Sequence, residues 1–338
     1  MSIRAKCLTA IAILVFASLV GIGLNQHLAA AAPPSGHGVA VGVNFNCIGA
    51  SDSDQTMVYT DLQNARVGWA RVFLPWYWIE PDKPGLYAEE NLARFQACVD
   101  QARAHGLHVL VELSGTPTWA GKVWDSPPHP SGYASALGYL ARRYPQVSAW
   151  EVWNEENAKF FWRGTAAQYV KLLRMAYRAV KRANPRALVI FGGTAHSDAG
   201  WIRKCYRAGA KGYFDVLATH PYPWNRKNIR YKQVIGFTRE VRGIMAANHD
   251  THTPIWFTEF GWSRPYVGGA RGQAVLLHRS FVYIEKHLPY VRAAFWYEIK
   301  TEEPDNTPRG WLSGLSLLTP SGGVTQAYKA MVAYSASS

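Results

Sequence analysis

The sequence predicts an α/β fold, a single (β/α)8 TIM barrel, on three observations. From residue 39 onward, short β-rich segments alternate with amphipathic helical segments. Strict alternation of this kind predicts a parallel sheet, because parallel strands need crossover connections. Eight such units within about 300 residues are typical of one closed barrel domain. The segment after the first strand, 45–49, lacks the glycine-rich phosphate turn that a doubly wound nucleotide-binding fold requires.

The elements follow from the local pattern, taken in chain order. The predicted strands are rich in apolar and β-branched residues and cover 39–45, 69–74, 108–113, 149–153, 188–191, 214–219, 255–258 and 293–296. The predicted helices repeat apolar residues at the helical period and cover 54–66, 90–105, 133–144, 166–183, 199–208, 229–247 and 272–287, with a last one near 324–334. Gly106, Gly209 and the Asn184-Pro185 pair are typical helix stops.

The N-terminus has the pattern of a secretory signal peptide. Arg4 and Lys6 precede an apolar run over 8–24, which an alanine-rich segment follows. We expect a signal peptide over 1–31, a barrel domain over 38–335, and a secreted, extracellular or envelope-associated protein. The apolar run is also nearly long enough to span a bilayer, so an uncleaved membrane anchor is the alternative.

Charge and cysteine content narrow the classes of partner and cofactor. The formal net charge is +13, yet the basic residues are scattered and no nucleic-acid-binding module is present, so no nucleic-acid partner is expected. A basic exported protein is expected to associate electrostatically with an anionic cell envelope.

The cysteines allow one disulfide. Cys47, Cys98 and Cys205 follow the signal segment, and the sequence does not say which two of them pair. No cofactor or metal site is expected, since zinc-ligand spacing is absent from the sequence.

Two glutamates lie where a (β/α)8 barrel carries its chemistry, at the carboxyl ends of strands. Glu155 follows strand 4 in the segment WEVWNEEN at 150–157, and Glu259 lies in TEFGW at 258–262 at the end of strand 7. A pair of carboxyl groups about 5 Å apart is what the hydrolysis of a glycosidic bond with retention requires. The alternative is that each glutamate only ends a strand in solvent.

These two segments resemble the acid/base and nucleophile strands of clan A glycoside hydrolases. The segments WARV at 69–72 and IEP at 79–81 resemble family 39 and the biofilm-exopolysaccharide hydrolases grouped with it most, with family 5 as the alternative. The likeness extends from about residue 40 to 333. Glu156 departs from the pattern, because the clan usually has proline there.

The resemblance implies roles for the two carboxyl groups and their neighbours. Glu259 is implied as the nucleophile and Glu155 as the acid/base, with Glu156 as a less favoured candidate for that role. We expect the charge of Glu259 and burial among tryptophans to raise the pKa of Glu155. Asn154 matches the residue that bonds the sugar 2-hydroxyl.

Three further polar residues are candidates for the same site. Arg71, on a strand interior, is implied to hold Glu259 ionised, or else it forms an ordinary ion pair at the barrel floor. Tyr222 is a candidate hydrogen-bond donor to the nucleophile. His220 lies at the same barrel mouth, as a site residue or as a structural histidine.

The surplus of aromatic residues suggests sugar-binding surfaces. The chain has 14 Trp, and indoles stack on the apolar faces of sugar rings. The candidates in the loops after the strands are Trp76, Trp119 and Trp262, together with Trp78, Trp124, Trp162 and Trp224. Trp296 is added because the resemblance implies a tryptophan beneath the reacting sugar there.

The sequence therefore predicts a secreted retaining glycoside hydrolase that acts inside the chains of an extracellular or cell-wall polysaccharide. The expected partner is the polysaccharide or oligosaccharide substrate. Two alternatives remain: an exo-acting β-glycosidase such as a xylosidase, galactosidase or furanosidase, and a catalytically silent glycan-binding barrel.

Overall fold

Eight parallel strands close into a barrel in the computed structural model, which describes residues 38–223, 230–301 and 305–337. Each strand pairs with the next along the chain, and β8 pairs with β1. The strands are β1 Ala40–Asn44, β2 Trp69–Pro75, β3 His108–Ser114, β4 Ala149–Asn154, β5 Leu188–Ala195, β6 Val216–His220, β7 Ile255–Phe260 and β8 Val291–Trp296. The predicted (β/α)8 barrel is confirmed.

Helices connect the strands on the outside of the barrel. They are α1 Asp52–Asn64, α2 Trp76–Ile79, α3 Glu89–Ala104, α4 Pro130–Arg143, α5 Ala166–Ala183, α6 Ala199–Arg207, α7 Tyr231–Gly236, α8 Thr238–Ala247, α9 Gly269–His287 and α10 Gln326–Ala336. The ends of α5 agree with the sequence pattern, and its first turn is closed by reciprocal hydrogen bonds between Thr165 and Gln168.

Two helical predictions need correction, and one short helix was not predicted. Helix α4 begins at Pro130 and not at residue 133, because proline is well suited to the first turn of a helix. The segment predicted as one helix over 229–247 forms two helices that meet at Phe237 (Ile229 lies outside the described residues). The short helix α2 was missed, because four residues carry no usable periodicity.

Aromatic rings fill the lower part of the barrel interior. Trp69 contacts Trp256 and Phe295 edge-on, with ring centroids 5.0 and 6.2 Å away. A Cβ atom at Gly42 would lie 2.3 Å from the Phe295 ring, so glycine is the residue that allows this ring to enter. Aromatic rings therefore fill the barrel near the amino ends of the strands. Polar side chains occupy the interior towards the carboxyl ends.

A disulfide ties the segment after β1 to the helix of the next crossover. Cys47, which follows β1, is bonded to Cys98 of α3, whereas Cys205 is free and buried. The bond closes a loop between residues 51 positions apart in the chain. This assigns the pair that the sequence left open.

We expect loss of this cross-link to lower the free energy of unfolding by about 4 kcal/mol, because the unfolded chain regains the entropy of a long open loop. The test is urea denaturation of the double variant Cys47→Ala/Cys98→Ala. Cys205→Ala is the matched control, since it removes a buried sulfur without breaking a cross-link. Equal losses in the two variants would contradict the prediction.

No helix among the described residues is long and apolar enough to cross a membrane. The predicted signal peptide, 1–31, lies outside the described residues.

Candidate active site

The end of β4 presents two consecutive side chains to the barrel mouth. Successive side chains of a regular strand point to opposite faces, but Trp153 has a left-handed backbone with φ of +74°. Its indole packs outside the barrel against Trp162 and donates to the carbonyl of Phe161. Asn154 and Glu155 then both line the cleft. Such backbone strain is typical of functional sites.

Glu155 and Glu259 meet across the barrel mouth. One carboxylate oxygen of each, together with a ring nitrogen of His220, lie within 4.8 Å of one another. The two carboxyl side chains are 18 and 12% exposed, so each reaches solvent through the cleft. This spacing agrees with the separation of about 5 Å that retaining hydrolysis needs.

Arg71 organises the floor of the site. Its Nη1 donates to Glu259 Oε1 at 2.8 Å and to Asn44 Oδ1 at 2.8 Å. Its Nε donates to Glu151 Oε2 at 2.7 Å, and its Nη2 donates to Asn154 Oδ1 at 3.1 Å. Burial acts to lower the pKa of Arg71, but the surrounding carboxylates more than offset this and raise it. Both sequence interpretations of Arg71 thus apply, because it pairs with Glu259 and with a floor carboxylate.

His220 and Tyr222 complete the site from β6 and the residues after it. His220 is fully buried; its Nδ1 is 3.0 Å from Glu155 Oε1, and its Nε2 is 3.0 Å from Thr258 Oγ1. The Tyr222 hydroxyl donates to Glu259 Oε2 at 3.4 Å. The sequence candidates Arg71, Asn154, His220 and Tyr222 are therefore brought together around the two glutamates.

The carboxyl groups have different electrostatic surroundings. Burial raises the pKa of Glu155 to about 7, against the opposing effect of His196 and Arg71. Of the two causes that the sequence led us to expect, burial raises this pKa, whereas the charge of Glu259 is not among its main causes. Burial also raises the pKa of Glu259, but His220 and the guanidinium of Arg71 act against that rise. The direct ion pair with Arg71 favours the ionised form of Glu259.

The two glutamates lie in a cleft of about 410 Å³. The other lining residues that sequence reasoning did not identify include Glu112, Phe73, Phe161, Tyr297, Asn44, Ser114, Glu298 and Lys300. Glu112 is 2% exposed, and its Oε1 has no hydrogen-bond partner among the described residues. Burial raises the pKa of Glu112 to about 8, and Arg71 acts against that rise. Its position on the predicted strand β3 was the one sign in the sequence. In the structure Glu112 is the register partner of Phe73 on β2.

Four tryptophans predicted to bind sugar, Trp76, Trp162, Trp262 and Trp296, are buried, and these predictions are wrong. Trp296 is fully buried and donates to the carbonyl of Leu315, whereas the next residue, Tyr297, lines the cleft. Alternation along β8 explains this offset of one residue. Trp76 and Trp262 are fully buried too; their indole nitrogens donate to Glu80 and Ser280.

The remaining tryptophans differ in their exposure. Trp124 lines the cleft and is 37% exposed. Trp119 is half-buried, lies outside the cleft lining, and donates to the Glu80 carbonyl. Trp224 lies outside the described residues.

Glu156, the less favoured candidate for the acid/base, faces away from the cleft. Its side chain is buried and accepts from the indole of Trp201 at 3.1 Å. Burial raises its pKa well above the usual range. Glu155 is therefore the carboxyl group of this segment that faces the cleft.

Glu155, His220 and Glu259 are also a set of side chains that could hold a metal ion. Both ring nitrogens of His220 are already within hydrogen-bond distance of a partner, and one of those partners is Glu155 itself. A cation would have to replace that contact. The hydrogen bonds alone account for the arrangement.

A family model described as cellulase (glycosyl hydrolase family 5) matches residues 37–266. The chain belongs to this family. The resemblance to clan A glycoside hydrolases is thereby confirmed. A β-xylosidase from Caldicellulosiruptor saccharolyticus is 38% identical over 94 residues, which cover 25% of this chain and 18% of that enzyme.

Solved structures with the same fold come from both families that the sequence suggested. A family 39 glycoside hydrolase from Bacteroides cellulosilyticus aligns with a TM-score of 0.72 at 20% identity, covering 90% of this chain and 64% of that one. A family 5 subfamily 18 enzyme from Streptomyces cattleya, solved with Manβ1-4GlcNAc, aligns with a TM-score of 0.73 at 22% identity. The alignment covers 88% of this chain and 80% of that one. A β-xylosidase from Caulobacter crescentus aligns with a TM-score of 0.69 at 18% identity, covering 89% of this chain and 68% of that one.

Proposed function

We propose that this glycoside hydrolase cleaves its substrate by a double displacement that retains the configuration at the anomeric carbon. The observation that carries the proposal is the approach of the Glu155 and Glu259 carboxyl groups within 4.8 Å. An inverting enzyme needs a wider gap, because a water molecule must fit between the base and the sugar. The spacing here suits direct attack by a carboxylate.

In the first step, a Glu259 oxygen attacks the anomeric carbon as the bond to the leaving-group oxygen breaks. Glu155 donates its proton to that oxygen. In the second step, Glu155 takes a proton from water, and the resulting hydroxide displaces Glu259 from the anomeric carbon. Arg71 stabilises the carboxylate of Glu259 that enters the first step and leaves the second. Asn154, held by Arg71, is placed to bond a sugar hydroxyl beside the reacting carbon.

We propose action within a polysaccharide chain, because the cleft continues into a second depression. This aromatic groove has a volume of about 680 Å³ and is lined by Phe73, Tyr77, Pro81, Thr116, Thr118, Trp124 and Phe161. Phe73, Trp124 and Phe161 line the catalytic cleft as well. Exposed rings offer stacking surfaces to further sugar units. The groove therefore supports binding of sugar units beyond the one that occupies the catalytic cleft.

Tyr77→Ala tests the groove, because Tyr77 is 42% exposed and does not line the cleft. We expect kcat/KM on a long oligosaccharide to fall about tenfold, through lost stacking area. The loss on a short aryl glycoside is smaller, since that substrate occupies the cleft alone. Phe237→Ala is the matched control, because Phe237 is 38% exposed and lies between α7 and α8. Equal losses on both substrates would contradict the groove assignment.

Action outside the cytoplasm is part of the proposal. The Cys47–Cys98 disulfide supports it, since such bonds persist in oxidising compartments. The basic net charge supports association with an anionic envelope. Cell fractionation, with the mature N-terminus read by sequencing, distinguishes a cleaved signal peptide from an anchor.

The substrate class is tested by reducing-end release from a panel of polysaccharides: xylan, β-glucans, galactans, bacterial exopolysaccharide and arabinogalactan. A ladder of oligosaccharides is the expected product. Release of single sugars would instead support an exo-acting β-glycosidase, which the similarity to a β-xylosidase over 94 residues favours as the second candidate. Binding without hydrolysis of any glycan would support a silent binding barrel and overturn the proposed reaction.

A further inference from the structure

A chain of hydrogen bonds runs from the barrel floor to the proton of Glu155. Glu151 is fully buried, and its Oε2 accepts from Arg71 at 2.7 Å. Its Oε1 accepts from the Thr258 hydroxyl at 2.8 Å. Thr258 Oγ1 lies 3.0 Å from Nε2 of His220, whose Nδ1 lies 3.0 Å from Glu155 Oε1. Every link lies within the described residues.

The number of hydrogens on this chain determines its direction. A threonine hydroxyl has one hydrogen, and the carboxylate of Glu151, ion-paired with Arg71, can only accept it. The oxygen of Thr258 must then accept from His220, so Nε2 is protonated. In a neutral imidazole the other nitrogen, Nδ1, is an acceptor. The hydrogen between Nδ1 and Glu155 must therefore come from Glu155.

We propose that Thr258 and Glu151 are positioning residues that hold His220 in the Nε2–H tautomer, so that Nδ1 accepts the hydrogen of Glu155 and keeps it on the carboxyl group. The inference rests on the proposed function, since it explains how the acid of the first step stays protonated. After the proton has left with the leaving group, the Nδ1 lone pair faces the Glu155 carboxylate. That repulsion favours recapture of a proton from water in the second step.

The surroundings of His220 agree with this assignment. Burial lowers the pKa of His220 to about 4; Glu259 and Glu151 act to raise it, whereas Arg71 and His196 act to lower it. Glu259 Oε2 lies 3.8 Å from Nδ1, farther than Glu155.

The ring position of His220 depends on Gly193 of β5. A Cβ atom at Gly193 would lie 1.9 Å from His220 Nε2, so glycine leaves the room that the ring needs beside Thr258. The geometry thus restrains both the position of the ring and the tautomer.

The tautomer is measured by NMR of protein carrying 15N-labelled histidine, with His220→Asn to assign the signal. In the wild type at neutral pH, we expect a protonated Nε2 and an unprotonated Nδ1. Thr258→Val removes the acceptor, and the signal should change to that of a protonated Nδ1. Thr258→Ser keeps a hydroxyl and should retain the wild-type pattern. A protonated Nδ1 in the wild type would overturn the proposal, whether or not the protein hydrolyses any glycan.

The kinetic consequence is a shift of the basic limb of the kcat/KM profile. In Thr258→Val, an Nδ1–H donates to the Glu155 carboxylate and stabilises it, so the limb should move to lower pH by about one unit. Thr258→Ser should restore the limb. A role that is only structural would lower kcat/KM at all pH values without moving the limb, and that result would also overturn the proposal. Absence of hydrolysis by the wild type would count against the proposed function alone, because the NMR test is independent of turnover.

Discussion

Glu259→Ala is expected to abolish the turnover of every glycoside, activated or not, while the barrel stays folded. Without this carboxylate no covalent intermediate can form, and a loss in kcat on the order of 10⁴-fold or more is typical when such a nucleophile is removed. Folding should persist because Arg71 keeps its ion pair with Glu151. The measurement is initial rates on an aryl glycoside, together with the thermal midpoint.

Glu156→Gln is the matched control for this variant. Glu156 is a buried glutamate that follows Glu155 directly and faces away from the cleft. Burial raises its pKa and so favours the neutral form, for which the uncharged amide is a close replacement. We expect it to retain most of the activity. An active Glu259→Ala, or an inactive but folded Glu156→Gln, would contradict the assignment of roles.

Glu155→Ala is expected to have an effect that depends on the leaving group. Removing a general acid typically costs about 10²- to 10⁴-fold when the departing oxygen needs a proton, as it does in a natural glycan. The aryloxide of an acidic phenol departs without a proton, so the rate on an activated aryl glycoside should fall much less. The basic limb of the pH profile should also disappear. In the wild type this limb reflects loss of the Glu155 proton, whose pKa burial raises to about 7.

The result that would count against Glu155 as the acid is an equal loss on both classes of substrate. Retention of the basic limb in Glu155→Ala would assign that limb to a different group. When a proton donor is removed, the loss of activity grows with the basicity of the leaving group. A general distortion of the cleft lowers the activity on both substrates alike. Comparing the two substrates thus separates these explanations without a further variant.

The fold could be predicted because each strand and each helix of the barrel has a recognisable periodicity of apolar residues in the sequence. Strand and helix alternation placed Glu155 and Glu259 at the carboxyl ends of β4 and β7, and a closed barrel brings those ends together. Arg71 was identifiable because a lone cation on a strand interior needs a partner. Topology and the cost of burying a charge were sufficient for these residues.

The aromatic contacts could not be predicted, because they depend on which face of a strand each ring occupies. Trp296 and Tyr297 are neighbours on the chain, and one is core while the other lines the cleft. The left-handed backbones at Trp153 and Glu155, where the regular alternation of β4 is interrupted, leave no mark in the residue pattern. The role of Thr258 needed atomic distances, since it depends on where one hydroxyl hydrogen points.

The central claim, a covalent intermediate on Glu259, is tested most directly by mass spectrometry of Glu155→Ala mixed with an activated aryl glycoside. Without its base, this variant should accumulate the glycosyl-enzyme, seen as a mass increase of one glycosyl unit on the peptide that contains Glu259. The double variant Glu155→Ala/Glu259→Ala should show no such increase. Steady release of the aryl group without any adduct, and with inversion at the anomeric carbon by NMR, would contradict the account.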